Sequence, residues 1–450
     1  MKQLTYVWLS LLLLSAWVPA QAGDDWTYWR GPNFDGISTE TNLPDTWEPA
    51  GGEGSNLVWK QPIGTRSTPI IMGGKLFALT TDNPEVPTET REKVVCLNAE
   101  TGEPQWEYAF NVYLSDVPVE RVGWSSVVGD PETGNVYALG VCGYFCCLNG
   151  ETGEVIWDRS LHEEYGLLST YGGRTNFPLI HENNVIISSV VIGWGDMAKP
   201  AHRFIAFDKT NGQPVWFEGT KLFPHDTTYS APVLAVIGGE LQMVFASGDG
   251  GVYGFQPRTG KQLWSYDLSG HGINTSPLVI GDRVICGHSE ENLDATAMGA
   301  IVCLDATKRG NLNENGVIWK TNEYFIGRCS PMLIEGRIYA VDDRAKLWCF
   351  DLETGEQIGE EVRLGTMMRA GLLYADGKIY ANEVNGRGYV LKPNADGAEI
   401  THRVRVKNEE FHGSPIAWSG RLYIPGTSSL YCFANPTAAG GAATEAQATD

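Results

Sequence analysis

The sequence predicts an all-β protein, an eight-bladed β-propeller of four-stranded antiparallel blades closed by an N-terminal strand. Three observations predict it. One hairpin phrase recurs along most of the chain; its copies lie roughly 40–60 residues apart, the period of a propeller blade; and the two ends of the repeat region carry complementary fragments of one further copy.

The phrase is clearest at Tyr144–Trp157, YFCCLNGETGEVIW. Phe145–Leu148 reads as a buried strand, and the Asn149 side chain closes an Asx-type turn. Gly153 supplies the positive φ of a tight turn, and Glu154–Trp157 begins the return strand. Further copies end at Trp106, Trp216, Trp264 and Trp319, the last with an insertion in its turn. Two more end at Ile358 and Ile400, without the Trp, and LYCFAN breaks off at Asn435 before its turn. Asn56–Pro62, NLVWKQP, is a Trp strand with no hairpin before it, so it completes the last blade and leaves the ring no free edge. Seven blades is the alternative if the worn copy ending at Ile400 is not a blade.

Around this repeat region, 56–435, three other segments are expected. Residues 1–22 read as a secretory signal peptide: Lys2, the apolar run Leu9–Leu14, then Ala20-Gln21-Ala22 as a cleavage site. Residues 23–55 are rich in Trp, Gly and Pro and read as an ordered cap or plug. Residues 436–450 are Ala, Gly and Thr-rich and read as a disordered tail. The apolar run is too short to span a bilayer comfortably, so the mature chain is expected to be exported, periplasmic or extracellular, with no transmembrane anchor.

A formal net charge of −21 without a basic cluster excludes nucleic acid and anionic lipid as expected partners. Of the nine cysteines, Cys96, Cys147, Cys303, Cys349 and Cys432 share one repeat position with Ala206, Gly254 and Val390. A slot that accepts Cys, Ala, Gly and Val is a small buried packing position. Cys142 and Cys146 could pair across a turn, which sequence leaves open.

Strand parity locates a functional face. Strand a of each blade starts where b passes to c, and there the connections run long, as in Thr81–Lys93, Val191–His202 (with Trp194) and His288–Gly299. Most strands a open on a phrase such as Ser-Thr-Pro69 or Cys-Ser-Pro331. Three residues before that Pro, or before the residue in its place, stand Arg66, Trp124, Thr175 (beside Arg174), Tyr229, Asn274, Arg328, Arg369 and His412. The bland reading is eight solvated loop ends. Against it, the position holds Arg, Trp, Tyr and His but no Asp or Glu in a strongly acidic chain. Arg66, Trp124, Tyr229, Asn274, Arg328, Arg369 and His412 are therefore the candidate ligand-binding residues, ringing the channel mouth and suited to an anionic, planar or sugar-like ligand.

The repeats resemble those of the PQQ-like (pyrroloquinoline quinone) β-propeller superfamily, and the opening WRGPNFDGIS resembles exported repeat proteins of planctomycete-type bacteria. The superfamily contains quinoprotein dehydrogenases and the propeller lipoprotein of the outer-membrane β-barrel assembly machine. The resemblance implies that Trp106, Trp157, Trp216, Trp264 and Trp319 dock between blades. It leaves two functions open: a non-catalytic module binding a partner protein or an anionic small ligand, and a dehydrogenase using PQQ with Ca²⁺. Enzyme signatures do not support the second. No CxxCH, no GxSxG and no metal-spaced His/Cys cluster occurs, and no catalytic residue or metal ligand is assigned. Cys146-Cys147, the vicinal pair that PQQ alcohol dehydrogenases carry over the cofactor, falls here within a strand, where neighbours face opposite sides.

Overall fold

A computed structural model describes residues 24–112, 119–168, 177–191, 202–221 and 228–436. Thr175, Arg174, Trp194, the segment 1–22 and the tail from residue 437 lie outside the described residues. Eight sheets follow one another around the chain, each ordered a-b-c-d from the channel outward. Their innermost strands are Ile70–Met72, Val128–Asp130, Leu179–His181, Val233–Ile237, Leu278–Ile280, Met332–Ile334, Leu373–Ala375 and Ile416–Trp418, for blades 1 to 8. Leu57–Gln61 pairs antiparallel with Leu430–Ala434 as the outer strand of blade 8, so the first strand of the chain closes the ring. Among the described residues no helix is long and apolar enough to cross a membrane.

The recurrent phrase folds as its chemistry dictates. Asn149 Oδ1 accepts from the backbone N–H of Glu151 and Thr152 at 2.8 and 3.0 Å, and Gly153 N donates to Asn149 O. Asn98 and Asp351 make the same pair of bonds in their blades. Each turn glycine then does a second job. The Trp of the preceding blade packs flat on it: a Cβ on Gly153 would stand 2.6 Å from Trp106, and one on Gly102, Gly212, Gly260 or Gly355 would meet Trp59, Trp157, Trp216 or Trp319 at 2.4–2.8 Å. Trp59, Trp106, Trp157 and Trp319 also donate their indole N–H to a carbonyl of that next blade. The small slot is explained by the same ring, since Cys96, Cys147, Ala206, Cys303 and Cys432 lie directly across the sheet from their own blade's Trp.

Three copies depart from the pattern. Trp264 packs against the core of blade 5 but on no turn glycine there, and the turn insertion lays Gly310–Asn311 parallel to blade 4's outer strand. The indole turns in over Gly254 and donates to Gln242 at 2.8 Å. In blade 6 the outer strand begins only at Val362, not at Ile358, and is two residues long. The worn copy of blade 7 is a full blade, with Arg387–Asn394 and Gly397–Arg405 paired along their lengths. All nine cysteines are buried free thiols, so Cys142 and Cys146 are not bridged.

Residues 24–43 span the central channel. Trp26 O and Thr27 O accept from Ile71 and Gly129 of blades 1 and 2, and the Tyr28 hydroxyl donates to Pro232 O of blade 4. Arg30, 3 % exposed, donates to Pro331 O of blade 6. Gly36 and Ser38 then pair with Tyr374 of blade 7, and Glu40 accepts from Ser419 and Gly420 of blade 8. Opposite sides of the ring are thus tied through one segment, which leaves a blind pocket at the strand-a mouth.

Two buried histidines give the fold an acid limit. His288 Nδ1 accepts from Glu290 N and its Nε2 faces Asn292 Oδ1, so the neutral ring is satisfied and a second ring proton would point at an N–H. Burial pulls the pKa of both His288 and His412 down to about 4. The unfolded chain, titrating near 6.5, binds these protons first. Their stabilisation is therefore whole above pH 6.5 and lost as pH falls toward 4, up to about 3 kcal/mol for His288. Melting curves should show the midpoint dropping across this window, with a shallower drop in His288→Gln.

Candidate functional site

The strand-a mouth is built by one repeated device. In five blades the Ser or Thr just inside the opening phrase offers its hydroxyl to the backbone of the blade before it. Thr68 N donates to Ser126 Oγ at 3.0 Å, Ala231 N to Ser276 Oγ at 2.7 Å, and Ser276 N to Ser330 Oγ at 3.0 Å. Gly371 N donates to Ser414 Oγ and Ser414 N to Thr68 Oγ1, both at 2.8 Å. This belt fixes the backbone two residues after Arg66, Tyr229, Asn274, Arg369 and His412 and so aims the side chains above it.

Six of the seven candidates line one cavity of about 210 Å³: Arg66, Trp124, Tyr229, Arg328, Arg369 and His412. Asn274 is not on its wall; its Oδ1 accepts from Tyr229 N at 3.1 Å, clamping blades 4 and 5. The cavity also takes in residues the sequence did not single out. Trp29, on the segment crossing the channel, stacks on Phe177 at 5.4 Å and forms the floor, while Glu120 and Arg121 reach in from the chain leading to blade 2.

The cations are not equivalent. Arg328 departs from the expectation of a ring of unpaired guanidiniums, because its Nη1 lies 3.0 Å from Asp343 Oδ2. The reason is local: Asp343 sits in blade 6's own b–c turn, which the strand parity places beside Arg328. Arg66 and Arg369 make no ion pair within 4 Å among the described residues. Arg369 lies 5.5 Å from the Trp124 ring centre, and its Nε is buried without a hydrogen-bond partner. Burial, and then the nearby positive charge of Arg328, depress the Arg369 pKa; Glu410 opposes this and Arg121 adds to it. Burial depresses Arg66 too, offset in part by Glu410 and Glu120.

His412 stacks on Trp124 at 5.1 Å, and its Nε2 lies 2.9 Å from Glu410 Oε2. A carboxylate only accepts, so Nε2 carries the proton and Nδ1 presents a lone pair. That Nδ1 is buried without a partner, as are the indole N–H groups of Trp29 and Trp124. Burial is the largest cause of the lowered His412 pKa, and the charges of Arg369 and Arg66 reinforce it.

Buried carboxylates hold the chain that carries these groups. Glu92 accepts from Gly123 N at 3.0 Å, one residue before Trp124, and from Val141 N at 2.8 Å. Glu383, fully buried, accepts from Thr366 N and Met367 N, two to three residues before Arg369, and pairs with Arg387 at 3.2 Å. Glu409 accepts from Ser428 N and the Tyr431 hydroxyl just ahead of His412. Their spacing follows no repeat: Glu92 reaches from blade 1 to blade 2, whereas Glu383 and Glu409 tie the entry segments of blades 7 and 8 to their own blades.

The described residues do not fit a PQQ–Ca²⁺ pair. Among them no group of three or more His, Cys, Asp or Glu side chains is placed to share a cation. Cys146 and Cys147 face opposite sides of their sheet, in separate core clusters, and neither touches the cavity.

Comparison with solved structures shows the fold alone, because identities are low. BamB from Moraxella catarrhalis superimposes with a TM-score of 0.59 at 13 % identity, covering 84 % of this chain and 99 % of that one. A europium-containing methanol dehydrogenase gives 0.64 at 11 %, covering 92 % and 98 %. The computationally designed Ika8 protein gives 0.58 at 11 %, covering 84 % and 98 %. An assembly factor, an enzyme and a design share this architecture, so activity must be argued from the site. No curated protein matches the sequence. Residues 90–360 match the family described as outer membrane protein assembly factor BamB. With its eight closed blades and repeated Trp-on-glycine locks, the chain belongs to that family of PQQ-like β-propellers.

Proposed function

We propose that the protein is an exported binding module that holds an anionic ligand in the blind cavity at the strand-a mouth. One observation carries the reading. Arg369 is half-buried, repelled by Arg328 and Arg121, stacked on Trp124, and left without a counter-ion among the described residues. A cation in low dielectric beside like charges is stabilised by an arriving anion more than any exposed Arg would be. Arg66, also without an ion pair, supports it from blade 1, on the far side of blade 8. Guanidinium forks favour carboxylate or phosphate, and the orphaned indole N–H groups of Trp29 and Trp124 add donors aimed at the same acceptor-rich guest. The family's description as an assembly factor supports binding rather than chemistry as the role, and the segment 1–22 supports export.

Isothermal titration at low ionic strength with citrate, galacturonate and trimesate (a planar aromatic tricarboxylate) tests this. At least one should bind, more weakly as salt rises, and Arg369→Ala should weaken it at least tenfold, since truncating one partner of a buried charge pair costs about 2–5 kcal/mol. No binding by any of the three, or binding indifferent to Arg369→Ala, overturns the reading.

A further inference from the structure

The cavity is not isolated. A polar groove of about 880 Å³ runs across the same face where blades 7, 8 and 1 meet, and Arg66 lines both spaces. The groove wall carries Arg405 and Lys407, both exposed, with Asn385, Asn408 and Glu410. Glu410 is the partner of His412, so the groove ends at the cavity's own acid–base pair. We propose that this face is one extended site for an acidic oligosaccharide. The terminal uronate sits in the cavity with its carboxylate on Arg66 and Arg369, and the following sugar units lie along the groove.

The inference rests on the anion-binding reading and narrows it. A carboxylate alone satisfies the guanidiniums but leaves the cavity's acceptors idle. His412 Nδ1 is a buried lone pair with no donor, and Glu120 adds a carboxylate to the wall. Both call for ligand hydroxyls. Trp29 and Trp124 present flat indoles, on which the apolar C–H face of a pyranose packs. A uronate offers all three features on one ring: carboxylate, hydroxyls and an apolar face. A flat aromatic polycarboxylate offers no hydroxyl to His412.

The groove favours the same class. Its side chains are mostly hydroxyl, amide and charged groups, as at Thr80, Thr81, Thr427 and Ser428, with few apolar ones. Peptides are captured by main-chain pairing on a strand edge and by apolar side-chain pockets, and this groove is lined mainly by polar side chains. Arg405 and Lys407 make no ion pair among the described residues, and in a chain of net charge −21 they place positive charge along the line an acidic chain would follow.

The test is calorimetric titration of the full chain with galacturonate, trigalacturonate, neutral maltotriose, trimesate and hexaglutamate. Trigalacturonate should bind at least tenfold tighter than galacturonate, and maltotriose should not bind. In the Arg405→Ala/Lys407→Ala variant, checked for an unchanged melting temperature, the ratio of trimer to monomer affinity should fall to near one. A trimer no tighter than the monomer, or a ratio unchanged in that variant, overturns the extended site. Arg369-dependent binding of trimesate but not galacturonate overturns the sugar class and leaves the anion cavity standing. Hexaglutamate binding more tightly than trigalacturonate reassigns the groove to a protein partner and also overturns the proposal. If no anion binds, both readings fall together.

Discussion

Gly153→Val is expected to destabilise the protein by about 4 kcal/mol. Gly153 has φ +75°, a conformation that costs a β-branched residue about 1–3 kcal/mol. The new Cβ would also stand 2.6 Å from Trp106, and overpacking of this kind costs about 1–3 kcal/mol more. Trp106 cannot retreat, because its indole N–H is bonded to Gly150 O at 3.1 Å in the same turn. Denaturant unfolding should show the loss as a lower midpoint. Thr152→Ser, one residue away and keeping the hydroxyl that accepts from Glu154 N, is the control and should change little. A loss below about 1 kcal/mol for Gly153→Val would mean that the Trp-on-glycine contact does not lock neighbouring blades.

Glu383→Ala is expected to cost about 3 kcal/mol, since several hydrogen bonds to one charged group, each worth about 1.5–3 kcal/mol, are lost with it. The carboxylate is 0 % exposed and accepts from Thr366, Met367 and Asn385 backbone N–H groups while pairing with Arg387. Its removal takes away the one acceptor that these donors share and that holds the loop against strand b of blade 7. Because Thr366 and Met367 lead directly into Arg369, ligand affinity should fall as well. Glu383→Gln retains one acceptor and should lie between the two. Unfolding and titration of the same variants check both effects. Full stability in Glu383→Ala would show that this loop is held by other contacts.

How far the sequence speaks can be seen residue by residue. Asn149 and Gly153 declare the hairpin through turn chemistry that needs no tertiary help, and the Trp strand of Asn56–Pro62 declares ring closure because it lacks a hairpin. Arg66, Trp124 and Arg369 were legible from strand parity, since alternate strand directions send every strand-a start to one mouth. Asn274 stood in the same register yet turns to the backbone of Tyr229, and Arg328 finds Asp343 in its own blade's turn. Register sets where a side chain starts, not which neighbour claims it. Trp29 was out of reach for another reason: the segment reads as a cap or plug, but nothing in WRGPNFDGIS says which of its side chains faces the cavity. Glu92, Glu383 and Glu409 follow no period, because each answers to backbone donors that only the folded blades bring near. Trp264 read as one more docking Trp; it does pack between blades 4 and 5, but over its own blade's Gly254 rather than on a turn glycine.

The central claim is that Arg66 and Arg369 receive a carboxylate inside the blind cavity. A crystal structure of the protein grown with galacturonate tests it most directly. The account predicts ligand density over the Trp29 floor, the carboxylate within hydrogen-bond distance of both guanidiniums, and a hydroxyl on His412 Nδ1. A ligand bound elsewhere on the ring, or a cavity holding only water while galacturonate saturates the protein in solution, would contradict it.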